Sequence, residues 1–215
     1  MLEPPFDLAA PVYDKGRIGW YRGLLDLLGD RVSEPFLDAG CGTGYIACSL
    51  GRRGVSTIVC LDLSLSMLKL AWRRARKWRV DVALHLVAGS LAALPFRGGV
   101  FKSALAAAVI HHVYKRERRV EALRELRRVC TGFILITLWS ALTPLNVLRV
   151  LAARSRDIFV KWGGEGVRYY HLYTPYELEE DMRAAGYERF KMYPWDYKRR
   201  VLKRNIVVEI NAQQA

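Results

Sequence analysis

Cysteine is scarce: positions 41, 48, 60 and 130 hold all four, with no C-x-x-C pair and no histidine nearby at metal-ligand spacing. That leaves no cysteine-based metal site and fits reduced thiols. No apolar run approaches the length of a bilayer span, and Met-Leu-Glu-Pro-Pro-Phe-Asp at the start lacks the basic-then-apolar order of a secretory signal. The expectation is a cytoplasmic protein with no membrane association. Repeats and low-complexity tracts are missing too. Acids are few, 21 against 34 lysines and arginines, giving a net charge of +13 and a pI near 9.9. Such an excess favours a polyanionic partner, whether RNA, DNA or an anionic membrane, although a merely basic solvated surface would look the same. With 52% apolar residues in 215, one α/β domain spanning 1–215 can bury a substantial core.

The most informative stretch is Phe36-Leu37-Asp38-Ala39-Gly40-Cys41-Gly42-Thr43-Gly44. An apolar strand end, an acid and alternating glycines let backbone turn sharply and approach a ligand closely. The dinucleotide spelling G-x-G-x-x-G is absent, because Tyr45 stands where its third glycine would be. Asp38, ahead of the glycines, suits a cationic ligand better than a pyrophosphate. D-A-G-C-G-T-G resembles the first motif of class I S-adenosylmethionine methyltransferases. That resemblance implies a Rossmann-like α/β fold: a seven-stranded, mostly parallel sheet in the order 3-2-1-4-5-7-6 with helices on both faces. It also implies S-adenosylmethionine as cofactor, S-adenosylhomocysteine as product, and Asp38, Gly40, Cys41, Gly42 and Gly44 in contact with them.

Residues 1 to about 34 read as an N-terminal cap with an amphipathic helix from Trp20 to Gly29. Tyr13-Asp14 precedes it; many of these enzymes carry such a pair reaching the cofactor, and an ordinary loop tyrosine is the alternative. A helix from Tyr45 to Arg53 leads to a strand, Val55–Leu61, ending in Asp62. Eighteen positions after Gly44, that acid suits ribose hydroxyls, or with Ser64 it caps the next helix. The segment Leu65–Arg79 interleaves Arg73, Arg74, Arg76, Lys77 and Arg79 with Trp72 and Trp78, either an RNA-binding face or a solvated one.

A strand over 81–88 precedes Ser90, where the family usually has an acid for the adenine amino group; Ser103 is a second such departure. The resemblance places Leu63, Met67, Ser90, Leu91, Ala107 and Ala108 along the same cofactor. Ala104–Ile110 reads as a fourth buried strand, with His111-His112 at its carboxyl end, where acceptor and methyl donor would meet. Two adjacent histidines without further ligands make no metal site, and one of them is expected to be functional and the other structural. A helix over 115–130 carries Glu121–Arg124 and Glu125–Arg128 pairs, and 133–139 is a fifth strand. The alternation breaks over about 140–172, a substrate-side insertion with a helix from Pro144 to Ala153, the flexible Gly163-Gly164-Glu165-Gly166, and Arg168-Tyr169-Tyr170-His171. A helix from Tyr176 to Ala185 and an antiparallel hairpin of strands near 189–195 and 205–211, joined at 197–200, complete the chain.

A-V-I-H-H, an arginine-rich helix ending E-L-R-R-V, and R-Y-Y-H-L-Y before an E-L-E-E helix resemble the tRNA methyltransferases that esterify 5-carboxymethyluridine at the wobble position. The family's T-R-Y-x-P-W segment has only Arg17 and Trp20 as counterparts. The resemblance implies tRNA as partner, Arg168 as the cation holding the acceptor carboxylate, His111, His112 and His171 as orienting donors, and Tyr169 and Tyr170 against the uridine. It further implies a small zinc-containing activator protein along an apolar edge strand near 82–87. A small-molecule methyltransferase of quinone or natural-product type, and a non-catalytic module binding S-adenosylmethionine or RNA, are the alternatives.

Overall fold

The computed structural model describes residues 13–14, 17–162, 166–198 and 204–211. Helix α1 (Ile18–Leu28) precedes β1 (Phe36–Ala39), α2 (Tyr45–Gly51), β2 (Thr57–Asp62), α3 (Leu65–Lys77), β3 (Ala83–Ala88) and β4 (Phe101–Ala107). After a short 3-10 turn, Ile110–His112, come α4 (Arg116–Val129), β5 (Cys130–Trp139), α5 (Pro144–Ala153), β6 (Asp157–Trp162), β7 (Gly166–His171), α6 (Pro175–Ala184), β8 (Lys191–Trp195) and β9 (Asn205–Asn211). Seven strands form one sheet in the order β3-β2-β1-β4-β5-β9-β8, and β6 and β7 form a separate antiparallel ribbon. Numbered within the sheet alone, this is 3-2-1-4-5-7-6. Only β9 runs against its neighbours, β5 and β8. No helix of the described residues is long and apolar enough to cross a membrane.

Helices cover both faces, so β1 is buried throughout, as near-continuous apolar strands of parallel sheets are. Successive side chains point to opposite faces. Leu37, Ala39 and Leu61 join Leu123 and Leu126 of α4 and Leu178 and Met182 of α6 on one face. Phe36, Ile58 and Cys60 join Leu24 and Leu28 of α1 and Ile46 and Leu50 of α2 on the other. The glycine turn therefore emerges from a strand locked on both sides.

Four expectations change. The fourth strand runs from Phe101 to Ala107, because Ala108 takes a left-handed φ of 52° and donates its N–H to the Thr137 carbonyl at 2.9 Å; the histidine pair consequently sits in a one-turn helix. Ser103 lies opposite Phe36 at the start of β1, far from the ligand end. Its hydroxyl donates to the Ser33 carbonyl at 2.5 Å and accepts from the Ser33 N–H at 2.9 Å, so it pins the chain entering the sheet. Strand β3 is the edge, but Leu84 and Leu86 turn into the α1/α2 core while Ala83 and His85 are exposed. The apolar edge expected near 82–87 is largely folded inward. Finally, the insertion is ordered on both sides of Gly163-Gly164-Glu165, which lie outside the described residues: β6 and β7 pair from Asp157↔His171 to Trp162↔Gly166. They close a third small core of Ala141, Ile158, Tyr170 and Leu172. Arg199 and Arg200 of the expected 197–200 turn also lie outside the described residues.

Candidate active site

Beyond Ala39 the chain turns through Gly40, with a φ of 80°, and Gly44, with a φ of 69°. A Cβ on Gly40 would stand 2.4 Å from Val109 Cγ2, and one on Gly44 would stand 2.7 Å from Ala71 Cβ. Both conformation and space demand glycine. The N–H groups of Gly40 and Cys41 donate to the Leu61 carbonyl at 2.7 and 3.0 Å, tying the turn to β2. Asp62 completes that tie: Oδ2 accepts from Gly42 N–H at 2.8 Å and Oδ1 from Ser64 N–H at 2.9 Å. The helix cap is Ser64, whose hydroxyl accepts from Met67 N–H at 3.1 Å. Asp62 thus organises the turn, and a carboxylate at this place is suited to a ribose hydroxyl.

Asp38 is 3% exposed. It accepts from the Ala47 N–H, and its Oδ2 has no hydrogen-bond partner among the described residues. Burial, with Asp62 nearby, pushes its carboxyl up to about 7. A buried acid with an orphaned oxygen is costly unless a cation faces it. S-adenosylmethionine, with an ammonium and a sulfonium, is such a cation, and Asp38 and Asp62 beside the glycine turn fit it.

Asp38 is raised above its ordinary value of 3.8, so without ligand its contribution to stability is lost as pH rises from about 4 through 7. A bound cation lowers that pKa. S-adenosylmethionine affinity therefore strengthens as pH rises towards 7, with release of up to about one proton. Calorimetry in buffers of different ionisation enthalpy checks this; Asp38→Asn should abolish the release.

The other residues assigned to the cofactor are spread around this turn. Leu63 is exposed beside Asp62, Met67 and Leu91 are buried, and Ala107 and Ala108 are half-buried. The Ser90 hydroxyl accepts from Ala92 N–H at 3.3 Å, and the neighbouring Gly89 N–H reaches the Asp62 carbonyl at 3.1 Å. A hydrogen bond with Cys60, and then burial, push the Cys41 thiol up, so it stays protonated and is no nucleophile.

Arg74 is a contributor that residue patterns missed, and it acts through Asp14 of the expected Tyr13-Asp14 pair. Asp14 accepts from the Tyr21 and Thr43 hydroxyls, both at 2.8 Å, and pairs with Arg74, which also donates to the Thr43 carbonyl. Arg74, set among the arginines of α3, thus turns inward and latches the N-terminal segment onto the glycine turn. The latch holds Tyr13 so that its Cε1 lies 3.5 Å from where a Gly42 Cβ would stand. Asp14→Asn should weaken S-adenosylmethionine binding about tenfold, since it loosens a charge-assisted network, and titration with the cofactor would show it.

Across the crevice, the 3-10 turn and β7 meet. His111 is 1% exposed; its Nδ1 accepts from Trp139 N–H at 3.3 Å, and burial holds it well below the usual histidine range. His112 donates from Nδ1 to the Tyr169 carbonyl at 2.9 Å, and burial pushes its pKa down to about 4. Both rings are neutral at pH 7. Tyr170 is stacked on Trp139 at 4.5 Å and on His111 at 5.5 Å and is buried. Arg168, 3% exposed, lies 5.5 Å from the Tyr13 ring centroid, and Arg17 lies 4.0 Å from it. Burial and Arg17 lower the Arg168 pKa, and both arginines act on His112. Two guanidiniums, a phenol and a neutral histidine therefore share one place beside the glycine turn.

Tyr169 and His171 belong elsewhere. Arg119, 3% exposed, donates to the hydroxyls of Tyr173 at 3.0 Å and Tyr169 at 3.2 Å. Those hydroxyls donate onward to Asp181 at 3.1 Å and Asp157 at 2.6 Å. The His171 ring bridges Asp157 at 2.7 Å and Glu177 at 2.9 Å. This network fastens the ribbon to α4 and α6 and occupies both nitrogens of His171, which the sequence had placed at the acceptor.

Residues 37–132 match the family described as methyltransferase domain. A candidate methyltransferase of Encephalitozoon cuniculi is 32% identical over 79% of this chain and 77% of its own length. The tRNA (carboxymethyluridine(34)-5-O)-methyltransferase of Arabidopsis thaliana is 30% identical over 75% of this chain, which spans only 38% of that protein. The 2-phytyl-1,4-naphtoquinone methyltransferase of Trichormus variabilis is 31% identical over 58% of this chain and 57% of its own. Among solved structures, a SAM-dependent methyltransferase of Methanosarcina mazei superposes with a TM-score of 0.71 at 18% identity, covering 87% of this chain and 96% of that one. With the glycine turn, Asp38 and Asp62 arranged as above, this chain belongs to the SAM-dependent methyltransferases.

Proposed function

We propose that this methyltransferase esterifies a carboxylate on the wobble uridine of tRNA. The observation that carries the reading is the convergence of Arg17 and Arg168 on Tyr13, at 4.0 and 5.5 Å from its ring, beside the glycine turn. Arg17 acts on Arg168 as a like charge, and an anionic acceptor held by both would relieve that repulsion. The Arabidopsis relative, whose name specifies a carboxymethyluridine, supports the same acceptor.

Bound S-adenosylmethionine supplies an electrophilic methyl on a sulfonium; Asp38 and Asp62, beside the glycine turn, would hold it. The chain's own task is to hold, orient and exclude water. A carboxylate is ionised at neutral pH and needs no base. Arg17 and Arg168 hold it, and the Tyr169 carbonyl fixes the neutral His112 ring beside them with Nδ1 protonated. The tyrosines and His171 act behind this layer, by packing and by anchoring the ribbon. The free edge at β3 is open to strand addition by an activator protein of the kind the resemblance implies.

The Trichormus relative raises the alternative of a quinol acceptor. A phenolic hydroxyl needs a general base near neutral pKa, and His112, pushed down to about 4, is a poor one. The test is a competition: methyl-labelled S-adenosylmethionine with hypomodified tRNA and a lipid quinone extract in one mixture. Label in tRNA alone is expected; label in the quinone fraction alone would overturn the reading.

A further inference from the structure

We propose that the outer face of α3 is the track along which the RNA backbone docks, an inference that rests on the acceptor being carried by RNA. Between Arg52 and Arg79 the sequence has eight lysines and arginines against one acid, Asp62, and Asp62 is held in the cofactor turn. Lys69, Trp72, Arg73, Arg76, Lys77 and Arg79 are all exposed. Within α3 the spacing of three and four sets Lys69, Trp72, Arg73, Arg76 and Lys77 in adjacent rows on one side of the helix, opposite the buried Met67, Leu68 and Ala71, and Arg79 lies just past its end.

Helix α4 shows what a neutralised arginine helix looks like in the same protein. There Glu121 pairs with Arg124 at 2.6 Å and Glu125 with Arg128 at 2.5 Å, so its charges satisfy one another. Helix α3 contains no acid at all. Its arginine with an ion pair, Arg74, is the one turned inward onto Asp14, and the rest remain directed to solvent.

Position and chemistry favour RNA over a membrane. Helix α3 starts directly after Asp62 and Ser64, and thirteen residues carry it roughly 20 Å from the crevice. Phosphates following the helix would thus lead a base towards the glycine turn. Trp72 is 50% exposed, and the Arg76 guanidinium lies 5.0 Å from its ring centroid, a pairing suited to stacking on an unpaired base. A membrane-surface helix would need a broad apolar face for lipid, and the apolar face of α3 is already spent on the core.

Two variants test the track: the triple change Arg73→Gln, Arg76→Gln, Lys77→Gln, and Trp72→Ala alone. Transfer RNA affinity is measured across salt concentrations, alongside S-adenosylmethionine affinity, single-turnover rate at saturating tRNA, and binding to phosphatidylserine vesicles. The triple variant should bind tRNA at least about tenfold more weakly, with a log–log salt slope smaller by roughly 2 to 3. Trp72→Ala should lose about tenfold. Cofactor affinity and saturated turnover should stay at wild-type values, which also shows that the variants fold. Unchanged tRNA affinity and slope in the triple variant, no tRNA binding by the wild type, or wild-type binding to vesicles but not tRNA would each overturn the inference. Wild-type tRNA binding with the expected slope but no methyl transfer would sustain the track and sink the functional reading instead.

Discussion

Arg168→Ala should lower kcat/KM for tRNA by about a hundredfold or more while leaving S-adenosylmethionine affinity within about twofold of wild type. Arg168 reaches the crevice from β7, opposite Val160 in the ribbon, whereas the cofactor turn is built from β1, β2 and α3. On the proposed function, removing its guanidinium strips one of two cations from the acceptor and leaves Asp38 and Asp62 in place for the cofactor. Because Arg17 remains, ground-state binding survives in part and alignment suffers most, so the loss should fall on kcat as well as KM. Arg168→Lys should recover little of it, since an ammonium cannot match the planar fork that grips both carboxylate oxygens. Steady-state kinetics against tRNA, paired with cofactor titration, separate this from unfolding.

Arg119→Leu should destabilise the fold by about 3 kcal/mol or more, seen as a melting temperature lower by roughly 6–12 °C for a chain of this size. Arg119 is buried and meets its carboxylates through two phenols: Tyr173 relays to Asp181 and Tyr169 to Asp157. Its removal leaves both phenols without their donor and deprives Asp157 and Glu177 of a cation that holds their carboxyls low. Arg116 still pairs with Asp181 at 2.7 Å, so α6 should remain docked while the ribbon loosens. Hydrogen exchange should therefore rise first in β6 and β7. Equal melting temperatures for variant and wild type would show that the network contributes little.

Much of the fold was legible because its signals are local and redundant. The buried strands read as continuous apolar runs, Gly40 and Gly44 occupy places where a Cβ collides, and Asp62 ends β2 as its spacing required. The cofactor pole follows from those positions. The rest depends on contacts between distant segments. Arg119 stands among six arginines of α4, and only its place three and four residues before Ala122 and Leu123, on the buried stripe, marks it as a core residue. Arg74 has the same disguise in α3, where its partner Asp14 is sixty positions away. His171 looked like an acceptor-site group because it adjoins Arg168 and Tyr170, yet strand alternation sends neighbouring side chains to opposite faces, and the carboxylates of Asp157 and Glu177 claim it. The strand after Phe101 read three residues too late because Val109 and Ile110 are β-branched, while the left-handed turn at Ala108 is a consequence of packing on Thr137.

On the proposed function, a carboxylate of the RNA, held by Arg17 and Arg168, receives the methyl group. Mass spectrometry of wobble nucleosides after incubation with S-adenosylmethionine and hypomodified tRNA, before and after mild alkali, tests it most directly. The prediction is a methylated carboxymethyluridine that alkali returns to the free acid. A methyl group that survives alkali, or carboxymethyluridine left unmodified while another nucleoside gains the methyl, would contradict it.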